Sequence, residues 1–206
     1  MAAGLCPAAA FCAGLGTTLD RARFPAELLI VQGDLQRLTF SDRLSSDERL
    51  GLEGRIGSAL GGLEWLALEH EALSQSTVSR DALQGLQESW SARDLSSALE
   101  WVSGLTWDHA LNARIFSPER ATPDDVQRVR EIDARLCQGC HVDSVGIEKR
   151  LPAYRLRKMG KMISAGEFLA RLLSGVRGTA DTALANPLSL GDIRGFMKFY
   201  RESPAD

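Results

Sequence analysis

Apolar residues along this chain recur at intervals of three and four, hardly ever at two, and that spacing predicts long helices. In SSDERLGLEGRIGSALGGLEWLALEHEAL, Leu52, Ile56, Leu60, Leu63 and Leu66 fall on successive turns behind Ser45 and Glu48, which have the capping-box spacing of a helix start. A second helix is predicted from Asp81 to Trp90, and a third opens on the Ser91/Asp94 pair and carries Leu95, Leu99, Val102 and Leu105. Strand signals are nearly absent. Only AELLIVQ, residues 26–32, has a β-branched cluster, and it reads equally as a turn of helix. Residues 21–117 therefore predict a small antiparallel helical bundle.

The segment FSPERATPDD interrupts this pattern with Pro118 and Pro123 and is the natural boundary between two domains. A new helix is signalled there by Thr122 as N-cap, Pro123 at the first position, and Asp124 and Asp125 at the positive end of the dipole. Its apolar side, Val126, Val129, Ile132 and Leu136, runs straight into RLCQGCHVD. The chain closes on another well-marked helix, with Ser189 and Asp192 as the cap pair and Ile193, Phe196, Met197 and Tyr200 as the buried side. The expected fold is all-α, a bundle over 21–117 followed by a second helical domain over 118–206.

Composition narrows the function. In 206 residues, 24 basic and 27 acidic side chains are evenly spread, so no basic stripe is available to neutralise a phosphate backbone and nucleic acid is not an expected partner. The body of the chain has no apolar run of about 20 residues, so no membrane span is expected there. Residues 1–20 are apolar and small, as in the core and cleavage zone of an export signal, but lack its basic start. They are expected to act as an apolar leader or export signal that carries Cys6 and Cys12. Lipidation of Cys12 is the lesser alternative, because Phe11 is a poor match to the small residue that such processing prefers.

Half of the four cysteines and one of the three histidines fall in Cys137-Gln138-Gly139-Cys140-His141, the C-x-x-C-H attachment sequence of c-type haem. Thiols at this spacing on one turn can each add to a vinyl group of a haem edge, and the next imidazole then falls beneath the iron. Gly139 leaves room where backbone and porphyrin approach. A structural zinc site needs four ligands and a thioredoxin-like pair needs a βαβ setting, and the sequence offers neither. One covalent haem c is the expected cofactor, with Cys137, Cys140 and His141 holding it. Covalent maturation takes place outside the bacterial cytoplasm, so a periplasmic or otherwise exported location is expected.

On these residues, 119–206 resemble a class I cytochrome c domain, with a helix running into CQGCH and a last helix, LSLGDIRGFMKFYRE, of the kind that crosses the first. The resemblance implies that Pro152 offers its carbonyl to the His141 ring, orienting it and making it more basic. It also implies a distal methionine ahead of the last helix, yet TADTALANPLSLGDI has Pro187 and no methionine. Three distal arrangements follow: Met162 or Met159 as ligand, an open or water-bound iron, or a histidine from the bundle. Met162 is preferred to Met159 for its longer tether from His141. Of the bundle histidines, His109 is expected at an apolar contact and is the ligand candidate, and His70, between Glu69 and Glu71, is expected on a solvated face. Leu136, Leu151, Tyr154, Phe168, Leu172 and Phe196 are expected to bury the porphyrin. Trp65, Trp90, Trp101 and Trp107 all lie in the bundle, where core filling is the plain expectation and a docking surface the sharper one. The expected function is electron transfer between redox partner proteins, without enzymatic catalysis. A ligand-binding sensor with an open iron, or a haem subunit of a larger respiratory or photosynthetic complex, are the alternatives.

Overall fold

The computed structural model describes residues 18–141, 156–175 and 188–202. Its regular structure is helical: α1 (Thr18–Phe40), α2 (Ser46–Ser74), α3 (Arg80–Ser91), α4 (Leu95–Asp108), α5 (Pro123–Ile132), α6 (Leu156–Met162), α7 (Ala165–Ser174) and α8 (Leu190–Arg201). Two short 3₁₀ turns, Ala113–Phe116 and Pro118–Arg120, join α4 to α5. The class is all-α, and no strand occurs among the described residues.

Three of the helix starts are capping boxes at the positions read from the sequence, with Ser45, Thr122 and Ser189 each exchanging hydrogen bonds with Glu48, Asp125 and Asp192. The start of α4 differs from expectation. Ser91 still belongs to α3 and its hydroxyl donates to the Gln87 carbonyl at 2.8 Å, while Asp94 itself is the N-cap and accepts from the Ser97 N–H at 3.0 Å.

AELLIVQ lies in the middle of α1, and its unbroken apolar run has a packing reason. Phe24, Leu28, Val31 and Leu35 face a first core shared with Ile56 and Leu63 of α2, Leu86 of α3 and Val102 of α4. On the other side, Ala22, Ala26 and Ile30 join a second core with Phe116, Val129, Phe168, Ile193 and Phe196. A helix buried on opposite sides loses the one-faced stripe that marks a surface helix. Consequently α1, placed by sequence with the bundle, is a wall common to both cores. It begins at Thr18, inside the expected leader; residues 1–17 lie outside the described residues.

Two close approaches fix the outer helices. A Cβ on Gly195 of α8 would lie 2.8 Å from the Asp125 carbonyl oxygen and 2.8 Å from Val129 Cγ2, so α5 and α8 touch backbone to backbone there. On α1, a Cβ at Gly33 would lie 2.5 Å from Glu167 Cδ, which lets the carboxylate of α7 reach over α1. Beneath it Asp34, 1% exposed, accepts from Arg37 Nη2 at 2.6 Å, Arg55 Nε at 2.7 Å and Arg171 Nη2 at 2.6 Å. Glu167 binds Arg37 and Arg171 in turn, Arg171 Nη2 at 2.6 Å, so one five-residue charge network ties α1, α2 and α7 together.

Candidate functional site

The chain enters the C-x-x-C-H sequence through an unusual stretch of backbone. After Ile132, residues Asp133–Cys137 form a π-helical turn, closed by the Gln138 N–H on the Asp133 carbonyl, and Gln138–His141 continue as a helical turn. Such π turns displace one residue from the regular ladder and are often found at functional sites. Helical backbone through this turn puts positions 137, 140 and 141 on one side of the chain, since residues three and four apart are neighbours. That is the arrangement two thioether sulfurs and a proximal imidazole require, so the residues present fit a covalent haem. Cys137 and His141 are half-buried; nothing is described for the side chain of Cys140, and Pro152, Leu151 and Tyr154 lie outside the described residues.

The π turn also aims a buried carboxylate at the motif. Asp133 accepts from the Tyr200 hydroxyl of α8 and from Gln138 Nε2 at 3.1 Å. Tyr200 sits between Asp133 and Cys137, and burial, then the bond to Asp133 and the nearness of the Cys137 thiol, hold its phenol far above the ordinary value of 10.0. It is therefore a neutral donor at any ordinary pH. Asp133 escaped the sequence reading, although a signal was present: it falls four residues after Val129 and four before Cys137, a polar residue on the apolar stripe of α5.

Tyr200 is also where α6 arrives. A Cβ on Gly160 would lie 3.4 Å from Tyr200 Cβ and 3.5 Å from Phe168, the Arg201 guanidinium donates to the Gly160 carbonyl and, at 3.2 Å, to that of Ile163, and Arg157 lies 4.3 Å above the Phe199 ring. The C-terminal helix thus holds the methionine segment against the core that contains the cysteine motif. The two methionines divide. Both line a groove facing α1 and α2, but Met159 also packs on the second core, as Cys137 does, whereas Met162 is 64% exposed. The preference for Met162 rested on chain tether; the side of the short α6 that each residue occupies puts Met159, not Met162, on the second core. Among the residues expected around a porphyrin, Phe168 and Phe196 are buried in the second core and Leu172 packs on it, while Leu136 is exposed.

The bundle histidines correct a further expectation. His70 is not on a solvated face: both His70 and His109 are 8% exposed, with ring centroids 5.2 Å apart and Phe24 5.2 and 5.4 Å from each. The His70 ring packs against Phe24 of α1, next to Pro25, whose missing N–H leaves the Arg21 carbonyl without its helical donor. His109 caps the end of α4 beside it, in contact with the first core rather than with the motif. Burial pushes both imidazoles below the ordinary 6.5, with the charge of His109 adding to the effect at His70. Both are therefore neutral in both states above 6.5, and as the pH falls through 6.5 the unfolded chain takes up protons that the folded one refuses. Stability is expected to drop on acidification from pH 7.5 to 5, by at most about 1.4 kcal/mol per pH unit for each histidine. Urea midpoints at the two pH values check this, and the His70→Gln, His109→Gln double variant should show a shallower slope.

Core filling by the tryptophans also fails for most of them. Trp107 is 85% exposed, Trp65 and Trp101 are exposed, and only Trp90 packs on the first core. Trp101 lies across Gly85 of α3, and Arg23 stands 5.5 Å from the Trp65 ring. No helix among the described residues is long and apolar enough to cross a membrane, and they hold no cluster of three or more metal-ligating side chains. No family model matches the chain, and neither a curated protein nor a solved structure matches it.

Proposed function

We propose that this protein is an exported single-haem c-type cytochrome that carries electrons between redox partner proteins. The observation that supports this best is Cys137-Gln138-Gly139-Cys140-His141 on a helical turn, entered from α5 where that helix crosses α8 at Gly195. The haem would supply one-electron chemistry at its iron. Cys137 and Cys140 would hold it covalently and His141 would ligate from the proximal side, with the Pro152 carbonyl on the imidazole N–H. Tyr200 and Asp133 fix the entry to the motif. Of the distal candidates, Met159 is preferred to Met162 because it shares the second core with Cys137. The exposure of Met162 and the missing methionine in residues 179–187 favour, as a second reading, an iron left open to a small ligand. The exposed tryptophans of the bundle suit attachment to a larger redox complex.

Produced in a host with cytochrome c maturation, the protein should gain the mass of one haem that survives denaturation, since each thiol adds across a vinyl bond with nothing lost. The Cys137→Ala, Cys140→Ala double variant should show no such mass, and His141→Ala should lose the low-spin spectrum. A colourless wild-type product would overturn the proposal. If Met159 closes the sixth position, the reduced protein should bind carbon monoxide poorly and Met159→Ala should bind it readily. Ready binding by the wild type would move the sensor reading to first place.

A further inference from the structure

The charge network of α1, α2 and α7 opens onto a groove of about 160 Å³ whose lining shares Met159 with the proposed haem site. Its lining combines Arg37, Arg55 and Arg171 with the apolar side chains of Leu44, Leu52, Met159, Met162 and Ile163. Asp34 and Glu167 lie buried behind the arginines and hold Arg55 by Nε and Nη2 and Arg171 by the same two atoms, so among the described residues the Nη1 edges of both guanidiniums stay outside the network. Three guanidiniums face two carboxylates there. Glu48 also reaches the groove, but its carboxylate binds the Ser45 N–H at 2.9 Å and hydroxyl at 3.0 Å in the capping box of α2.

We propose that this groove binds a small amphipathic monocarboxylate, its carboxylate on the Nη1 edges of Arg55 and Arg171 and its apolar body against Met159, Met162 and Ile163. Guanidinium edges match a carboxylate in plane and spacing, and the preformed network holds them in place, so little side-chain freedom is lost on binding. The size follows from the volume: an apolar cavity of about 150 Å³ takes one benzene ring, so the body is a ring or a chain of about six carbons. A phosphate or sulfate would use the arginines and leave the apolar wall uncovered. A neutral ring would cover the wall and leave the arginines to water.

The test is isothermal titration of the full chain with benzoate, benzyl alcohol and inorganic phosphate at low ionic strength. Benzoate should bind saturably at one site and at least tenfold more tightly than either of the others. Arg55→Gln, which keeps Arg37 and Arg171 on Asp34, should weaken benzoate at least tenfold, and Met162→Asp, a change at an exposed position, should abolish binding. Glu48→Gln, which preserves a capping-box side chain, should bind benzoate as tightly as the wild type or more so. Circular dichroism of each variant confirms that it is folded, and retained binding by a folded Arg55→Gln or Met162→Asp would overturn the proposal. Equal affinity for benzoate and benzyl alcohol, equal affinity for benzoate and phosphate, or no saturation by 10-fold excess over millimolar benzoate would each do the same. The titration is made on the chain as isolated, and its haem mass is measured on the same sample, so failure of benzoate binding and failure of the cytochrome reading are told apart.

Discussion

Replacing Asp34 by alanine should destabilise the protein by about 3 kcal/mol or more, a large fraction of the stability of a chain this size. The carboxylate is 1% exposed and is the shared acceptor of Arg37, Arg55 and Arg171. Its removal leaves Arg171 with Glu167 alone and strips Arg55 of its acceptor, while three guanidiniums remain crowded on one side of α1. Breaking one member of a buried ionic cluster costs more than the cluster contributes over an apolar replacement, because the partners stay behind uncompensated. The pH dependence has a definite sign. Burial alone would raise the Asp34 carboxyl, but the Arg55 hydrogen bonds and the charges of Arg171, Arg55 and Arg37 outweigh it and hold it below the ordinary 3.8. Its contribution is therefore complete above 3.8 and is lost as the pH falls from there through the folded value. Urea midpoints at pH 7 should fall steeply in Asp34→Ala, and the wild-type loss of stability below pH 4 should be blunted in it.

The network shows why some of this molecule was legible in the sequence and some was not. Local signals read well: Ser45, Thr122 and Ser189 cap the helices they were expected to cap, because an N-cap depends on residues three apart in sequence. What depends on partners distant in sequence did not show. Asp34 and Arg171 are 137 residues apart and Asp133 and Tyr200 67, and nothing local in either pair marks the other. The two-sided burial of α1 erased its stripe, so AELLIVQ stayed ambiguous between strand and helix. His70 looked solvated because its neighbours Glu69 and Glu71 are charged. Its burial comes from packing against Phe24 and His109, both distant in sequence. The candidate site divides likewise. Cys137, Cys140 and His141 stand out by their spacing alone, whereas which methionine packs on the core that Cys137 touches depends on how Arg201 and Tyr200 seat α6.

The same glycine-to-alanine change should have opposite signs at two helical positions. At Gly61 in α2 the position of a Cβ is open space, with nothing within 4 Å, so Gly61→Ala should stabilise by about 0.5–1 kcal/mol through the lower backbone entropy of the unfolded chain. At Gly195 in α8 the same gain is available, but the new methyl would sit 2.8 Å from the Asp125 carbonyl oxygen and from Val129 Cγ2. A backbone atom cannot swing aside as a side-chain tip can, so α5 and α8 must separate along their crossing, with Val129 and Ile193 of the second core carried apart. Overpacking of this kind costs about 1–3 kcal/mol, enough to outweigh the propensity gain, and Gly195→Val should lie at the upper end or beyond. The displacement does not stop at the crossing. Because α5 runs directly into the π turn and Tyr200 of α8 binds Asp133 within it, moving the two helices apart also draws the phenol from Asp133 and Cys137. Urea midpoints of Gly61→Ala, Gly195→Ala and Gly195→Val should therefore rise, fall and fall further relative to wild type. A Gly195→Ala protein as stable as Gly61→Ala would mean that α5 and α8 do not meet at this glycine.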